Sequence, residues 1–155
     1  MTDQDPVQIY QTHLDTVSCL LWEGDFDGVC ALMAFPGRIE TVDATTTLHS
    51  PQELTTSLQS FRDSLLRQGT QAYHRICQSA AFDPEDGDLI TGAHRTFALR
   101  GGTYVLTPWD SDMHLIRKDG GWRGVWLRVA TRNVHANIIS TQHPWHQPPE
   151  IGTAP

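Results

Sequence analysis

Residues 21–30 read LWEGDFDGVC and interrupt a helical pattern for two residues, Gly24 and Asp25. Glycine adopts the left-handed conformation that ends many helices without strain, so Gly24 can close the preceding segment. Aspartate is a favoured N-cap, so Asp25 can begin a second helix at once. Two helices joined by so short an elbow cannot share one axis. The sequence therefore predicts helices that bend around another part of the fold.

The elbow separates two predicted helices with separate apolar sides. Asp5-Pro6 begins the first helix, with a capping side chain followed by a proline in the first turn. Apolar residues then recur at helical spacing, at Tyr10, Leu14, Val17 and Leu21. The apolar side of the second helix comprises Phe26, Val29, Cys30 and Met33. Pro36-Gly37 is expected to end that helix.

A third helix and a sheet are predicted after the elbow. A short strand is expected over 38–44, and the capping signal SPQE at 50–53 begins a helix that Gly69 ends. The apolar stripe of this helix comprises Leu54, Leu58, Phe61 and Leu65. Segments 71–82 and 89–100 read as strands around a turn at 83–88.

Glycine pairs at 101–102 and 120–121 predict further hairpin turns, with an irregularity at 109–112. The order of elements predicts an α+β fold, in which three N-terminal helical segments pack on one face of a mainly antiparallel sheet. Residues 1–140 are expected to form one domain, and the proline-rich tail 141–155 is expected to be extended or disordered.

Bulk composition excludes several classes of partner. The 155-residue chain carries 18 acidic and 11 basic residues, a net charge of −7, which argues against binding nucleic acid or an anionic membrane. No stretch approaches the roughly 18 apolar residues of a membrane span, and the polar start does not resemble a signal peptide. Cys19, Cys30 and Cys77 have no metal-like spacing. They are expected to be buried thiols of a cytoplasmic protein, with a reactive Cys77 as the alternative.

The element order resembles the nuclear-transport-factor-2-like superfamily and, within it, the small bacterial SnoaL-like proteins. The residues that carry the resemblance are 21–33 (LWEGDFDGVCALM), 50–54 (SPQEL) and 119–123 (DGGWR). It covers residues 5–132 and implies a cystatin-like roll, in which helices roof a strongly curved sheet to form a cone with an apolar pocket. It also implies a homodimer that pairs through the outer face of the sheet.

The resemblance leaves the activity open, because the superfamily contains isomerases, cyclases, dehydratases and non-enzymatic factors. In ketosteroid-isomerase-like members, a carboxylate on the strand after the second helix is a general base. Asp43 falls on that predicted strand beside Thr41, where desolvation would raise its pKa. Thr41 aligns with the base position when the elbows are matched, and Val17 stands where a tyrosine is expected. The alternative is an exposed turn aspartate.

The long strands offer a second candidate site. Phe97 is expected to face the interior, which would bring Arg95 to the same face and send His94 outward. If the turn at 83–88 closes symmetrically, His74 lies opposite Phe97 and also points inward. A histidine and an arginine in an apolar cone suit an anionic or carbonyl-bearing ligand. A shift of the register by one residue would reverse these orientations, so which of His74 and His94, and which of Arg75 and Arg95, face the interior stays open. The alternative role is that of structural sheet residues or dimer contacts.

Two tryptophans and the histidines complete the candidates. Trp22 at the elbow and Trp109 at the strand irregularity are expected to line the mouth of the cone, with plain packing as the alternative. Zinc sites need three or four ligands with close local spacing, and the one local pair, His143 and His146, lies in the tail. No metal site and no cofactor are therefore predicted.

Three functions remain open from the sequence. The first, which we favour, is a protein that binds a small apolar or carbonyl-bearing molecule in the cone. The second is a cofactor-free cyclase, isomerase or dehydratase with Asp43 or His74 as base. The third is a domain that serves for dimerisation or interaction. An empty apolar cone would favour binding, a polar pair at its floor would favour catalysis, and a filled cone would favour interaction.

Overall fold

A computed structural model describes residues 5–133 and 138–139 of the chain. The three helices are α1 Pro6–Glu23, α2 Phe26–Cys30 and α3 Pro51–Arg67. The strands that follow the elbow are β1 Met33–Glu40 and β2 Thr45–Leu48. The remaining strands are β3 Ala72–Asp83, β4 Asp86–Arg100, β5 Thr103–Tyr104, β6 Trp109–Lys118 and β7 Gly121–Val129.

The elbow forms as the sequence predicts. Asp5 Oδ1 accepts a hydrogen bond of 3.0 Å from the backbone N–H of Val7, which caps α1. Gly24 has a φ of 81°, in the left-handed region, and ends α1. Asp25 Oδ1 then accepts a hydrogen bond of 2.9 Å from the backbone N–H of Gly28 and caps α2. The chain therefore stops one helix and starts the next within two residues.

The strands form one curved, open sheet in the order β2-β1-β7-β6-β4-β3, with β5 paired to β4. The β1–β7 pair is parallel and every other pair is antiparallel. This confirms the predicted α+β class, with helices packed on a mainly antiparallel sheet. We call the face of the sheet that the helices cover the inner face, and the opposite face the outer face.

The segment after the elbow differs from the prediction. The second helix ends at Cys30, Met33 begins β1, and both Pro36 and Gly37 lie within that strand rather than ending a helix. The register between β1 and β7 shifts between Met33 and Arg38, so Pro36 lies in an irregular stretch of the ladder. Proline has no N–H to donate, and such irregular stretches are where a strand tolerates it.

Three strand boundaries also differ. The strand expected over 38–44 ends at Glu40, and 41–44 form a turn into β2, which the sequence analysis did not predict. The irregularity expected at 109–112 is absent, because β6 runs without a break from Trp109 to Lys118. The predicted turn at 83–88 is shorter, since β3 and β4 pair as far as Asp83 and Asp86. The predicted tail lies outside the described residues.

The core lies between the helices and the inner face. The predicted α1 stripe is buried, at Tyr10, Leu14, Val17 and Leu21. The predicted α3 stripe is also buried, at Leu54, Leu58, Phe61 and Leu65. One cysteine departs from the prediction: Cys19 is exposed on α1, while Cys30 is buried and Cys77 is half-buried. Among the described residues, no helix combines the length and apolar character needed to cross a bilayer.

Candidate functional site

A cavity of about 100 Å³ lies between the helices and the inner face of the sheet. Much of its wall is apolar, including Val17, Leu21, Leu58, Phe61, Leu127 and Val129. Buried polar side chains on the wall include Arg75, His94, Thr96 and Ser111. The cavity is therefore an apolar chamber with a polar region on its sheet side.

The register of the sheet brings these polar residues together. Arg75 on β3 lies opposite Thr96 on β4, and Thr96 lies opposite Trp109 on β6. His94, two residues before Thr96, lies opposite Ser111 on β6. Since side chains alternate along a strand, residues two apart share a face, and directly opposed neighbours are about 5 Å apart. The five residues therefore form one patch on the inner face.

Arg75 is a buried cation held by neutral groups. Its Nε donates a hydrogen bond of 2.8 Å to Ser18 Oγ, and its Nη2 donates one of 3.2 Å to the backbone oxygen of Leu14. The residue is 8% exposed. Within residues 5–133 and 138–139, no carboxylate lies within ion-pair distance of its guanidinium. Because a guanidinium stays charged in proteins, the described residues leave this buried charge without a counter-ion.

His94 is fully buried and has one nitrogen without a partner. The Tyr10 hydroxyl lies 2.6 Å from His94 Nδ1, while Nε2 has no hydrogen-bond partner among the described residues. Burial first, and then the positive charge of Arg75, lower the pKa of His94 to about 3. Burial also raises the pKa of Tyr10. Both side chains are therefore neutral at pH 7.

The tautomer of His94 follows from counting unsatisfied groups. Among the described residues, His94 is the one partner of the Tyr10 hydroxyl, so donating its proton to Nδ1 satisfies both atoms. The reverse arrangement would leave both the hydroxyl proton and Nε2 unsatisfied. An imidazole that accepts at Nδ1 carries its own proton on Nε2. His94 thus presents an N–H donor that lacks an acceptor in the described structure.

Gly92 sets the close approach of α1 to β4 at this point. A Cβ placed on Gly92 would lie 2.5 Å from Cε2 of Tyr10 and 2.7 Å from the backbone oxygen of Ser79. The tyrosine ring therefore packs on bare backbone, two residues before His94 on the same strand. A glycine inside a strand often marks such a close contact. This contact positions the hydroxyl at the imidazole.

Solved structures share this architecture. A domain of unknown function with a cystatin-like fold from Nostoc punctiforme aligns with a TM-score of 0.65 at 14% identity, over 84% of this chain and 80% of that one. A nuclear-transport-factor-2-like protein with a cystatin-like fold from Novosphingobium aromaticivorans gives 0.60 at 17% identity, over 87% and 88%. This chain has the nuclear-transport-factor-2-like fold.

A protein of unknown function from Mycobacterium tuberculosis is also similar in structure to this chain. It aligns with a TM-score of 0.58 at 17% identity, over 81% of this chain and 71% of that one. No protein-family model matches the sequence, and no curated protein matches it significantly. Likeness at these identities shows the fold and carries no activity, so the SnoaL-like assignment stays a prediction.

Within the nuclear-transport-factor-2-like fold, three predicted site residues lie on the outer face. His74 pairs with Phe97, as the sequence analysis predicts, but both point away from the cavity. His74 is exposed, and Phe97 packs beside Tyr104 with ring centroids 6.4 Å apart. Arg95 forms an exposed ion pair of 2.8 Å with Asp110. The inward orientation expected for all three is wrong.

Side-chain size on β4 explains why the sequence predicts the wrong face of this strand as the inner one. The inner positions nearest the helices carry the small Thr96 and Ala98, which are 2% and 0% exposed. Phe97 and Leu99 are larger and more apolar, but they cover the outer face. Choosing the face by the larger apolar residues therefore selects the wrong side of the strand, and it sends His94 outward instead of inward.

Asp43 lies in the turn between β1 and β2 and does not line the cavity. Its Oδ1 accepts hydrogen bonds from the backbone N–H of Asn133 (2.7 Å) and the hydroxyl of Thr41 (3.1 Å), and Arg132 lies 3.7 Å from Oδ2. The bond from Asn133 is the main reason that the pKa of Asp43 is lowered. The strand position and raised pKa expected of a general base are both wrong. Asp43 instead ties this turn to the segment after β7.

The two predicted tryptophans differ in position. Trp109 is buried and lines the cavity. Trp22 stacks on Tyr73 with ring centroids 6.0 Å apart, as the packing alternative expects, and is not part of the wall. Over the described ranges, no cluster of three or more histidine, cysteine or acidic residues could hold a metal ion. His143 and His146 lie outside those ranges.

Proposed function

We propose that this protein binds a small, largely apolar molecule in the cavity between its helices and the inner face of its sheet. The observation that carries the proposal is the cavity of about 100 Å³ with a mainly apolar wall. Apolar cavities of comparable size bind small molecules, and one of about 150 Å³ holds benzene. By that comparison, this chamber suits a ligand of roughly four to six non-hydrogen atoms.

The chemistry of the wall supports binding more than acid–base catalysis. A polar pair at the cavity is the feature expected of a catalyst. His94 lies on the wall and pairs with Tyr10, although Tyr10 is not among the described residues of the wall. General acid–base groups work best with a pKa near the operating pH. The pKa of His94 lies near 3 and that of Tyr10 is raised, so neither exchanges a proton readily at pH 7. No aspartate or glutamate is among the described residues of the wall.

Xenon is a suitable neutral probe for the test, since it enters apolar cavities. We expect dissolved xenon to shift the amide NMR signals of α1, β4 and β6 saturably in the wild-type protein. Val17→Phe places a ring in the cavity and should weaken this binding at least about tenfold, as expected for a filled site. Leu20→Phe is the matched control, because Leu20 lies on the same helix but not on the wall.

The xenon titration of the wild-type protein tests the cavity even if a variant does not fold. If xenon gives no saturable shift, or if Leu20→Phe weakens binding as much as Val17→Phe, the cavity proposal is wrong. If xenon does bind saturably, native mass spectrometry of gently purified protein would identify a ligand that the cavity retains.

A further inference from the structure

We propose that the ligand of this cavity is a short-chain carboxylate, held through its two oxygens by Arg75 and His94. The inference rests on the proposed function, because it names the ligand class for the same cavity. It depends on two buried polar groups that lack a counter-ion or a hydrogen-bond partner among the described residues.

The first group is the guanidinium of Arg75. Buried arginines are usually paired with an acidic group, because an isolated buried charge is costly. Arg75 instead donates to a hydroxyl of Ser18 and a backbone oxygen of Leu14, which are both neutral. A bound anion would supply the missing negative charge. The planar fork of a guanidinium matches a carboxylate in particular, since two parallel hydrogen bonds can form.

The second group is Nε2 of His94, which is buried without a partner. It lies on the same face as Arg75, because Arg75 is opposite Thr96 and His94 is two residues from Thr96. A ketone oxygen could accept from Nε2 but would leave the charge of Arg75 unmatched. A carboxylate can accept from both side chains and carries one negative charge, which matches one buried cation.

The rest of the wall limits what the carboxylate can be attached to. Val17, Leu127 and Val129 are apolar, and no acidic residue among the described part of the wall could receive an ammonium group. The described wall therefore favours a carboxylate without an ammonium group over an amino acid. A carboxylate takes three of the roughly four to six non-hydrogen atoms that fit, so one to three further carbons remain. The ligand class is a saturated monocarboxylate of the size of acetate to butyrate.

The test compares butyrate with butyramide, which has the same shape without the charge. We expect sodium butyrate to bind the wild-type protein at least about tenfold more tightly than butyramide, the equivalent of one charge-assisted hydrogen bond. Butyrate should also shift the side-chain ¹⁵N NMR signals of Arg75 Nε and His94 Nε2. Sodium chloride at the same concentration should not. Equal affinities, or the same shifts with chloride, would overturn the assignment.

A pair of arginine variants locates the charge that is recognised. Arg75→Met should abolish the preference for butyrate over butyramide, while Arg95→Met should keep it, because Arg95 lies on the outer face. Loss of the preference in both variants would contradict the proposal. If Arg75→Met does not fold, the wild-type comparison still decides.

Xenon separates failure of this inference from failure of the proposed function. Saturable xenon binding without any preference for butyrate would leave the cavity as a ligand site and exclude a carboxylate. Absence of both xenon and butyrate binding would remove both proposals.

Discussion

Two neighbouring strands each carry a histidine followed directly by an arginine, and in each strand the two side chains lie on opposite faces. His74 and Arg95 lie on the outer face, where Arg95 forms an exposed ion pair with Asp110. Arg75 and His94 lie on the inner face, where both are buried beside the cavity. The residue types are identical, so only their surroundings distinguish them. On the outer face His74 is exposed to solvent and Arg95 pairs with a carboxylate. On the inner face the described residues provide no counter-ion for Arg75 and no partner for Nε2 of His94.

The outer face is also the face that the predicted homodimer would bury. Ile76 and Tyr104 are 51% and 59% exposed there, which is high for such apolar residues. The homodimer stays a prediction. Matched substitutions on the two faces can therefore show which side chains the helices cover and which they leave exposed.

Replacing the two histidines should give the largest difference between the faces. His94→Ala removes a fully buried imidazole, which leaves a hole and leaves the Tyr10 hydroxyl without its partner. We expect the free energy of unfolding to fall by about 3 kcal/mol, measured by urea denaturation. His74→Ala, on the exposed face, should change it by less than about 0.5 kcal/mol. Equal effects would contradict the assigned faces.

Two glycines of β4 offer a smaller contrast along one strand. Gly92→Ala places a methyl group against the Tyr10 ring and against the backbone oxygen of Ser79, which cannot move aside easily. We expect a loss of about 2 kcal/mol in the free energy of unfolding, as for other overpacked positions. Gly87→Ala meets nothing within 4 Å and should be close to neutral. A neutral Gly92→Ala would show that α1 does not approach β4 so closely.

Acid should weaken the protein through its buried histidines. Burial lowers the pKa of His13 to about 4 and that of His94 to about 3, against about 6.5 in the unfolded chain. The unfolded state therefore binds more protons than the folded state below pH 6.5. The free energy of unfolding is highest above that pH and decreases as the pH falls. Each histidine should contribute at most about 1.4 kcal/mol per pH unit between pH 6.5 and 5.

Urea denaturation at several pH values between 6.5 and 5 measures this slope. Asp43 and Asp110, whose pKa values are lowered, lose their contribution below about pH 4, outside this window. The pKa of His114 is also lowered, so it adds to the slope in the same sense. His13→Asn should make the slope shallower than in the wild-type protein. An unchanged slope would show that His13 is not buried in its neutral form.

Much of the fold could be predicted because its signals are local. The capping residues, the elbow and the apolar stripes of α1 and α3 each depend on residues within a few turns of helix. Segments that depend on distant partners were not predicted. Pro36 reads as the end of a helix until the distant strand β7, which pairs with both ends of 33–40, is taken into account. The strand β2 likewise exists as the partner of β1.

The sequence predicts the residue types of the candidate site but not the positions that supply them. A histidine and an arginine beside an apolar interior were expected, and the structure supplies them as His94 and Arg75. The error arose because both faces of β4 carry apolar residues, so alternation alone does not say which face the helices cover. Gly92 was the available signal. A glycine in the middle of a strand often marks the close approach of another element, and at Gly92 that element is α1 on the inner face.

The parallel pairing of β1 with β7 has a consequence for folding during synthesis of the chain. Among the described strands, the β1–β2 hairpin joins the rest of the sheet through β7 alone, whose residues follow about 80 positions later in the chain. A ribosome that adds about 5–20 residues per second needs roughly 4 to 16 seconds to supply them. During that interval the growing chain displays an unpaired strand edge, which is open to a chaperone or to a neighbouring nascent chain.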